Sequence, residues 1–335
     1  MKVAFLIHSL EANGCRYRVL QYLPYLRDQG VDAEIYSYKK KGAEKFRFYN
    51  TLDRYDVVYI HRKLFFPLEF WYIRKKARKI IYDFDDAVMY RSSSAKDPYS
   101  YSRRTKFAYM MKRVDFVIAG NQFLKSEALP YISNVTVVPT SIDLSKYTLK
   151  ERSDQGTPII VGWLGSSSTL KYLKALMSTL DHLYQKCPRF EVKIVCDQFL
   201  EGLHVPVIKK RWALEEEDAD LRSFDIGLMP LSEDLWSKGK CGLKILQYYG
   251  VGIPVVCTPV GVNRDIVEDG VNGFWAGNEE EWQNRLLTLI REEDLRREMG
   301  RRGRDKVEKE YSLELNARRI LDVLNRVRSA KAGPN

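Results

Sequence analysis

Short apolar runs alternate with helical patterns along most of the chain. In the first half the runs that predict strands are VAFLIHS, AEIYSY, VVYIHR, KIIYDF, FVIAG and VTVVP. The predicted helices between them include Tyr17 to Gln29 and Pro67 to Arg78. Continuous apolar strands separated by helices are typical of parallel sheets that are covered on both faces. The first half therefore predicts a doubly wound α/β domain.

The second half restarts the same pattern with IIVGWLGS, EVKIVC, DIGLMPL and PVVCT. A length of 335 residues also favours two domains, because single cores rarely grow beyond about 250 to 300 residues. We expect a first domain over 1–145, a polar, turn-rich linker over 146–158 and a second domain over 159–310. The amphipathic segment 311–330 predicts a helix that packs back on the first domain.

The formal charge of +11 predicts an anionic partner. The alternatives are nucleic acid, an anionic membrane surface and a phosphorylated substrate. Two interpretations are equally open for His61 to Lys79, HRKLFFPLEFWYIRKKARK. The stretch could bind an anionic membrane surface, or its apolar residues could face the core of the first domain while its basic residues are solvated. Five scattered cysteines without CxxC spacing indicate neither a disulfide framework nor a zinc site. The start MKVAFLIHSL is typical of a strand, so we expect a cytoplasmic protein, with membrane association on the cytoplasmic face left open.

The loop GWLGSSST follows the first strand of the second half and precedes a helical pattern. Small residues let a backbone approach a ligand, and a helix start presents N–H groups to an anion. The pattern predicts a phosphate-binding loop, against the alternative of a plain N-cap turn. Its candidate residues are Gly165, Ser166, Ser167, Ser168 and Lys171.

Lysines also precede a second buried helical pattern in KGKCGLKILQYYGVGIPVV. If the helix begins near Cys241 or Gly242, Lys240 and Lys244 share a face near its N-terminus. Cations are unfavourable there unless an anion lies between them. We therefore expect these lysines to bind a diphosphate, the alternative being a solvated run of charge.

Acidic residues end one strand of the first half, in DFDD. Asp83 or Asp85 is a candidate to orient an acceptor hydroxyl or to accept its proton, against an acidic cap of the next helix. Arg16 and Arg18 are candidates to bind an acceptor phosphate, or else surface cations. His8, His61, His182 and His204 show no pairing spacing, so we interpret the histidines as structural.

Residues 242–276, GLKILQYYGVGIPVVCTPVGVNRDIVEDGVNGFWA, resemble the C-terminal nucleotide-sugar site of the family-4 retaining glycosyltransferases. NGCRYR, which includes Gly14, resembles that family's N-terminal glycine loop, and PTSID resembles its segment before the second domain. The resemblance implies the B-type fold, in which two Rossmann-like domains face each other across a cleft. It also implies a nucleotide diphosphate sugar as the donor.

The family's paired glutamates fall on Gly239 and Gln247, of which Gln247 retains the ability to bond the donor ribose. The family's arginine and lysine for the diphosphate align with Ser166 and Lys171, so that Lys240 and Lys244 would supply the lost charge. By the same resemblance, Trp212 would approach the nucleotide base and Asp265 would lie near the ribose and sugar.

The function implied is a retaining glycosyltransferase that moves a sugar to a glycan or lipid-linked acceptor in cell-surface polysaccharide synthesis. We expect no cofactor and no metal. One alternative is a nucleotide-sugar epimerase or hydrolase of the same fold, which would need a paired acid and base. The other is a polyanion-binding or nucleic-acid-binding protein, which the buried character of the strands disfavours, because RNA-binding sheets expose aromatic residues.

Overall fold

The computed structural model describes residues 1–38, 42–151 and 157–330. Its strands are β1 Lys2–Ile7, β2 Asp32–Ser37, β3 Val57–His61, β4 Ile80–Phe84, β5 Phe116–Ala119, β6 Val135–Val137, β7 Ile159–Leu164, β8 Phe190–Val195, β9 Val207–Lys210, β10 Ile226–Met229, β11 Val255–Cys257 and β12 Gly273–Trp275. Every strand pairing within the two sheets is parallel. The predicted α/β class with two parallel sheets is confirmed.

Fifteen α-helices surround these sheets in the described residues. They are α1 Asn13–Arg18, α2 Leu23–Asp28, α3 Ala43–Tyr49, α4 Pro67–Lys76, α5 Tyr101–Met111, α6 Gln122–Ala128, α7 Leu170–Lys174, α8 Met177–Lys186, α9 Glu217–Arg222, α10 Leu235–Lys238, α11 Leu243–Gly250, α12 Asn263–Ile266, α13 Glu279–Arg291, α14 Glu293–Glu310 and α15 Leu313–Ser329. Single 3₁₀ turns lie at Leu20–Tyr22, Leu52–Arg54, Leu144–Lys146, Ser167–Thr169 and Leu214–Glu216.

The chain folds into two compact units. Unit 1 consists of Met1–Ser141, Asp234–Cys241 and the segment from Leu313 onward, and unit 2 of Ile142–Glu233 and Gly242–Ser312. Part of the predicted linker 146–158 lies outside the described residues, namely 152–156. The short segment Asp234–Cys241 belongs to unit 1 although the chain on both sides of it belongs to unit 2.

The unit 1 sheet has the strand order β2-β1-β3-β4-β5-β6. Val3, Phe5 and Ile7 of β1 pack on one face, together with α15, while Ala4 and Leu6 pack on the other. Both faces are thus apolar, as expected for strands that are covered on both sides. The order in which strands are added reverses between β1 and β3, and ligands of such sheets bind at the carboxyl ends of the strands at this switch point.

The unit 2 sheet has the order β12-β11-β10-β7-β8-β9. Counted from β7, this is the strand order of dinucleotide-binding folds, and its switch point lies between β7 and β10. The residues that follow Leu164 and Met229 therefore mark the edge where a ligand of unit 2 is expected.

The predicted helix from Tyr17 to Gln29 is wrong in its extent. The structure instead has α1, a 3₁₀ turn and then α2. Val19 adopts φ −133° and ψ −61° after α1, which is outside helical geometry, and Pro24 lies in the first turn of α2. Proline is favoured in a first helical turn because it lacks the N–H that a helix interior needs.

Candidate active site

Asp83 and Arg18 form a buried ion pair at the carboxyl end of the unit 1 sheet. Asp83 is fully buried on β4, and Arg18, at the end of α1, is 1% exposed. Arg18 Nε donates to Asp83 Oδ2 over 3.3 Å, a second guanidinium nitrogen bonds Asp83 Oδ1, and Nη1 donates to the Val138 carbonyl over 2.7 Å. Burial lowers the pKa of Arg18, but the charge and hydrogen bonds of Asp83 outweigh it and hold that pKa above its usual range.

The expectations for these two residues need correction. Arg18 does not present its guanidinium to an acceptor phosphate, and Asp83 does not present a carboxylate to an acceptor hydroxyl. Each charge is desolvated and needs the other as its partner, since an unpaired buried charge is costly. The pair braces α1 against the carboxyl end of β4.

His61 lies between a thiol and a carboxylate. It is the last residue of β3, and the parallel register places it beside Asp83 of β4. Its Nδ1 lies 3.6 Å from Cys15 Sγ and its Nε2 lies 3.4 Å from Asp85 Oδ1. Burial alone would lower the pKa of His61, but hydrogen bonds to Asp85 and Cys15, together with the charges of Asp85 and Asp83, raise it to about 9. The imidazole is therefore a buried cation at neutral pH.

The two neighbours of His61 respond to that charge. Burial raises the pKa of Cys15, but the hydrogen bond and charge of His61 outweigh burial, so the net pKa of the thiol is lowered. The pKa of Asp85 is likewise held well below its usual range, since the charge of Arg62 and the hydrogen bond of His61 overcome the cost of burial. Asp85 is thus an ionised, strongly paired carboxylate and a weak proton acceptor. The sequence interpretation of His61 as merely structural missed this cluster.

Arg62 adopts a left-handed backbone conformation with φ 61°, which non-glycine residues rarely adopt. It directly follows β3, its Nε lies 3.3 Å from Asp85 Oδ1, and its Nη2 bonds Asp86. The Arg62 side chain is 33% exposed. A Cβ at Gly14 would lie 2.5 Å from Arg62 Nη1, so a larger residue there would require the end of the Arg62 side chain to shift. Backbone strain of this kind concentrates at functional sites.

The segment Asp234–Cys241 is held against the same cluster. Lys240 Nζ donates to Asp86 Oδ1 over 2.8 Å, and Asn121 Nδ2 donates to the carbonyls of Lys238 and Lys240 over 3.2 and 3.1 Å. A Cβ at Gly239 would lie 2.6 Å from the Ala87 Cβ, so this position has no room for a side chain. The glutamate that the resemblance places there would not fit.

Lys240 and Lys244 do not share a helix face, contrary to expectation. Helix α11 begins at Leu243 with Gly242 as its N-cap, so Lys240 precedes the helix and belongs to unit 1. Lys244 lies in the first turn of α11, and its Nζ is 4.9 Å from the centre of the Trp163 ring. Since Trp163 belongs to β7, Lys244 lies at the switch point of unit 2.

The serine loop of unit 2 uses its backbone N–H groups within the fold. Gly165 N donates to the Val195 carbonyl over 3.0 Å, and Ser166 N to Thr169 Oγ1 over 3.2 Å. Ser167 N donates to Asp197 Oδ1 over 2.6 Å, and hydrogen bonds from Ser167 lower the pKa of that carboxyl. A Cβ at Gly165 would clash with the Trp163 ring, which explains the glycine. Three of the N–H groups expected to bind phosphate are therefore already engaged.

The hydroxyl groups and a lysine of this loop stay grouped at the same edge. Ser166 Oγ and Ser168 Oγ lie 2.9 Å apart, and Lys171 of α7 has its Nζ 5.0 Å from the Tyr172 ring centre. The capping box between Ser166 and Thr169 fixes the start of the 3₁₀ turn. The N-cap interpretation of the loop is therefore correct for its backbone.

Three further candidates belong to unit 2. Gln247 is 2% exposed on α11, with its Nε2 3.4 Å from Tyr147 Oη. The half-buried Trp212 donates through Nε1 to Glu217 Oε2 over 2.9 Å. Asp265 is exposed on α12. These placements leave a ribose contact by Gln247 or Asp265 and a base contact by Trp212 as predictions.

Arg16 is half-buried on α1, with its guanidinium carbon 4.9 Å from the Tyr17 ring centre. Its assignment to acceptor binding stays a prediction. Among the described residues no group of three or more His, Cys, Asp or Glu side chains is arranged to hold a metal ion. Metal independence also stays a prediction.

The architecture of the whole chain is that of known glycosyltransferases. The crystal structure of Anabaena HepE in complex with UDP and glucose matches with a TM-score of 0.74, covering 97% of this chain and 99% of HepE at 17% identity. Sucrose-phosphate synthase from Thermosynechococcus elongatus matches with a TM-score of 0.72, covering 97% of this chain and 98% of that one at 13% identity. These likenesses define the fold as the B-type glycosyltransferase fold.

Part of the sequence also resembles a known family. Residues 158–292 match the family model described as Glycosyl transferases group 1. A trehalose synthase from Pyrococcus horikoshii is 29% identical over 84 residues, which cover 25% of this chain and 20% of that relative. Residues 158–292 therefore resemble the group 1 glycosyltransferases in sequence, and the fold of the chain agrees with that resemblance.

Proposed function

We propose that the protein is a retaining glycosyltransferase that transfers a sugar from a nucleotide diphosphate sugar to a glycan or lipid-linked acceptor. The observation that carries the proposal is the position of Lys244. It lies on the first turn of α11, beside Trp163 at the switch point of unit 2, inside the region that matches the group 1 family. A cation at a helix N-terminus is unfavourable unless an anion binds there.

The donor diphosphate would lie at the carboxyl edge of the unit 2 sheet. Lys244 and Lys171 would supply charge, and the hydroxyl groups of Ser166 and Ser168 would supply hydrogen bonds. Since the N–H groups of Gly165, Ser166 and Ser167 are engaged, side chains would bind the phosphates to a larger extent than the loop backbone. HepE was crystallised with UDP and with UDP-glucose, which makes UDP-sugars the first donors to test.

Transfer would break the bond between the sugar C1 and the diphosphate oxygen and form a bond between C1 and the acceptor oxygen. Negative charge would grow on the leaving diphosphate, and preorganised cations such as Lys171 and Lys244 would stabilise it. In the retaining reaction proposed, the acceptor proton would pass to the leaving phosphate oxygen. This route suits unit 1, where Asp85 is a weak base because Arg62 and His61 hold it ionised.

In unit 1 the exposed part of Arg62 is the group best placed to contact an acceptor. Arg62 follows β3 at the switch point in a left-handed backbone conformation, and ion pairs with Asp85 and Asp86 hold its guanidinium in place. We propose that Arg62, rather than Arg18, orients the acceptor or its phosphate. A glycan or lipid-linked acceptor would place the enzyme in the synthesis of cell-surface polysaccharides.

A thermal-shift screen of UDP, GDP, ADP and their sugars tests the donor assignment. Ligand at about 100 times its dissociation constant stabilises the folded state by roughly 2.7 kcal/mol. We expect one nucleotide family to raise the melting temperature and Lys244→Ala to reduce that rise to about half or less. If RNA shifted the melting temperature and no nucleotide did, the proposal would fail in favour of a polyanion-binding protein.

Proton NMR of the product tests the stereochemistry. With an α-linked donor we expect a product with the small anomeric coupling of an α-linkage from its first appearance. A β-product would overturn retention. Release of free sugar, or conversion of the donor to its epimer without acceptor, would instead support a hydrolase or an epimerase.

A further inference from the structure

Three large apolar side chains project from one short stretch of unit 1. Phe66 is 64% exposed, Leu68 77% and Trp71 48%. They lie at the start and along one side of α4, whose opposite side buries Phe70 and Ile73 completely. Large apolar side chains exposed together, rather than singly, mark a surface that binds something.

Lysines surround these side chains. Lys106 Nζ lies 3.6 Å from the centre of the Phe66 ring, and Lys75 Nζ lies 5.4 Å from that of Trp71. Over 61–79 the chain has seven basic residues and one acidic residue, Glu69. The carboxylate of Glu69 accepts hydrogen bonds from the Lys45 ammonium and the Tyr49 hydroxyl. The stretch therefore presents a positive charge together with exposed apolar groups.

We propose that this surface docks unit 1 on an anionic phospholipid bilayer. We call it the basic aromatic face and define it as Lys63, Phe66, Leu68, Trp71, Lys75 and Lys106. The apolar members would enter the boundary between headgroups and acyl chains, and the lysines would contact lipid phosphates. None of the helices in the described ranges has the length and hydropathy of a membrane span.

The position of the face on the chain links it to the proposed acceptor site. Three residues separate Phe66 from Arg62 at the switch point of unit 1, and they form the loop that leads into α4. Docking would therefore bring this loop close to the membrane surface, where a lipid-linked acceptor resides. This part of the inference rests on the proposed function, whereas the docking itself does not.

The chemistry of the face favours a bilayer over RNA or a protein. Leu68, the most exposed of the three, has no π-face on which a base can stack. RNA-binding domains commonly expose aromatics on a sheet, whereas these project from a helix and its preceding loop. Lysine is depleted at protein–protein interfaces, which favour other residues. Aliphatic, aromatic and lysine side chains combined on one helix are typical of interfacial membrane binding.

Vesicle co-sedimentation of the full chain tests the inference. Vesicles of phosphatidylcholine alone are compared with phosphatidylcholine and phosphatidylglycerol at roughly 7:3, at low and high salt. We expect binding to the anionic vesicles alone and its weakening by salt. Lys75→Ala should weaken it about fivefold, as for the loss of one lysine near an anionic surface, and the double variant Leu68→Ser/Trp71→Ala should weaken it further. Matched controls are Leu129→Ser and Lys309→Ala, which alter an exposed leucine and an exposed lysine elsewhere.

Equal binding to both kinds of vesicle, or equal losses in the controls, would overturn the inference. So would binding of single-stranded RNA or a protein by the face in place of vesicles. The UDP-induced thermal shift of each variant separates the two proposals, because the face contains none of the proposed donor ligands. A variant that loses vesicle binding but keeps the UDP-induced thermal shift supports docking. If the wild type binds vesicles but no nucleotide changes its melting temperature, docking is supported and the proposed donor chemistry fails.

Discussion

Lys240 donates to Asp86 over 2.8 Å, and the same carboxylate binds Arg62. A residue that the sequence suggested as a donor ligand thus anchors a segment of unit 1. The contact also explains why Gly239 has no side chain, since the segment lies directly on Ala87. The two lysines of the KCGLK stretch therefore have separate roles.

Replacing each lysine by alanine should separate those roles. Lys244→Ala should weaken UDP or UDP-sugar binding about tenfold or more, since hydrogen bonds and charge contacts to an anion are lost. Lys240→Ala should leave that affinity within about twofold and lower the free energy of unfolding by about 0.5 to 1 kcal/mol, as for a partly exposed ion pair. Isothermal titration calorimetry and urea denaturation measure the two effects, with Lys238→Ala as control. Equal losses of affinity in both variants would contradict this assignment.

We expect the Arg18–Asp83 pair to contribute to the stability of the fold rather than directly to the reaction. Asp83→Asn or Arg18→Met should lower the free energy of unfolding by about 3 to 5 kcal/mol, because each leaves a buried charge unpaired. The double variant Arg18→Met/Asp83→Leu should regain part of that loss. Urea denaturation followed by activity at a temperature where the variants are folded gives the test. A fully stable but inactive Asp83→Asn enzyme would instead assign Asp83 a direct catalytic role.

His61 should make stability depend on pH. Its pKa is raised from the ordinary value near 6.5 to about 9, so its stabilisation is complete below about pH 6.5 and is lost as the pH rises through about 9. The stability difference between the wild type and His61→Gln should therefore fall by on the order of 3 kcal/mol across that range.

Cys15 works against this trend, because its lowered pKa contributes stability that appears as the pH rises. The comparison is best made in a Cys15→Ser background, where Asp85, Asp83 and Arg62 remain the charged neighbours of the imidazole. A His61 resonance in NMR that titrates near its ordinary pKa would disprove the buried imidazolium.

Gly239→Ala should destabilise the protein and Gly239→Glu more so. A new Cβ would lie 2.6 Å from the Ala87 Cβ and 2.7 Å from the Ala87 nitrogen, and overpacking of this kind typically costs about 1 to 3 kcal/mol. Differential scanning calorimetry measures the loss. Gly277→Ala is a matched control, since its Cβ would meet a single neighbouring atom, at 3.5 Å. Gain of activity in Gly239→Glu would show that the glutamate of related enzymes fits here after all.

The buried strands were predictable because each is a continuous apolar run with a helix behind it. β9 and β12 were not predicted, and both are short strands at the edges of their sheet. Val207–Lys210 carries two lysines, and Gly273–Trp275 has three residues, so neither has the apolar length that identifies a covered strand. The sequence pattern does not predict a strand that forms mainly by hydrogen bonding to the neighbouring strand.

The candidate site was predictable only as far as single loops allow. The loops at Gly165 and Asp83 were found because glycine, serine and acidic residues followed apolar strands. The partners Arg18 and His61 were assigned to other roles, since pairing across the fold leaves no local signal. One signal was available: His61 and Asp83 both end predicted strands that follow each other in the chain, and neighbouring parallel strands bring such ends together.

The composition of unit 1 from three chain stretches has a consequence for its biosynthesis. Strands β1 to β6 leave the ribosome early, yet the face of the sheet that α15 covers stays open until the C-terminal residues have been made. The hydrogen bonds of Asp86 and Asn121 to Lys240 likewise form only after a segment more than a hundred residues later has been translated. We therefore expect the part of the protein that is synthesised first to be among the last to become protease-resistant, and nascent chains halted before α15 to need chaperones that shield apolar surface.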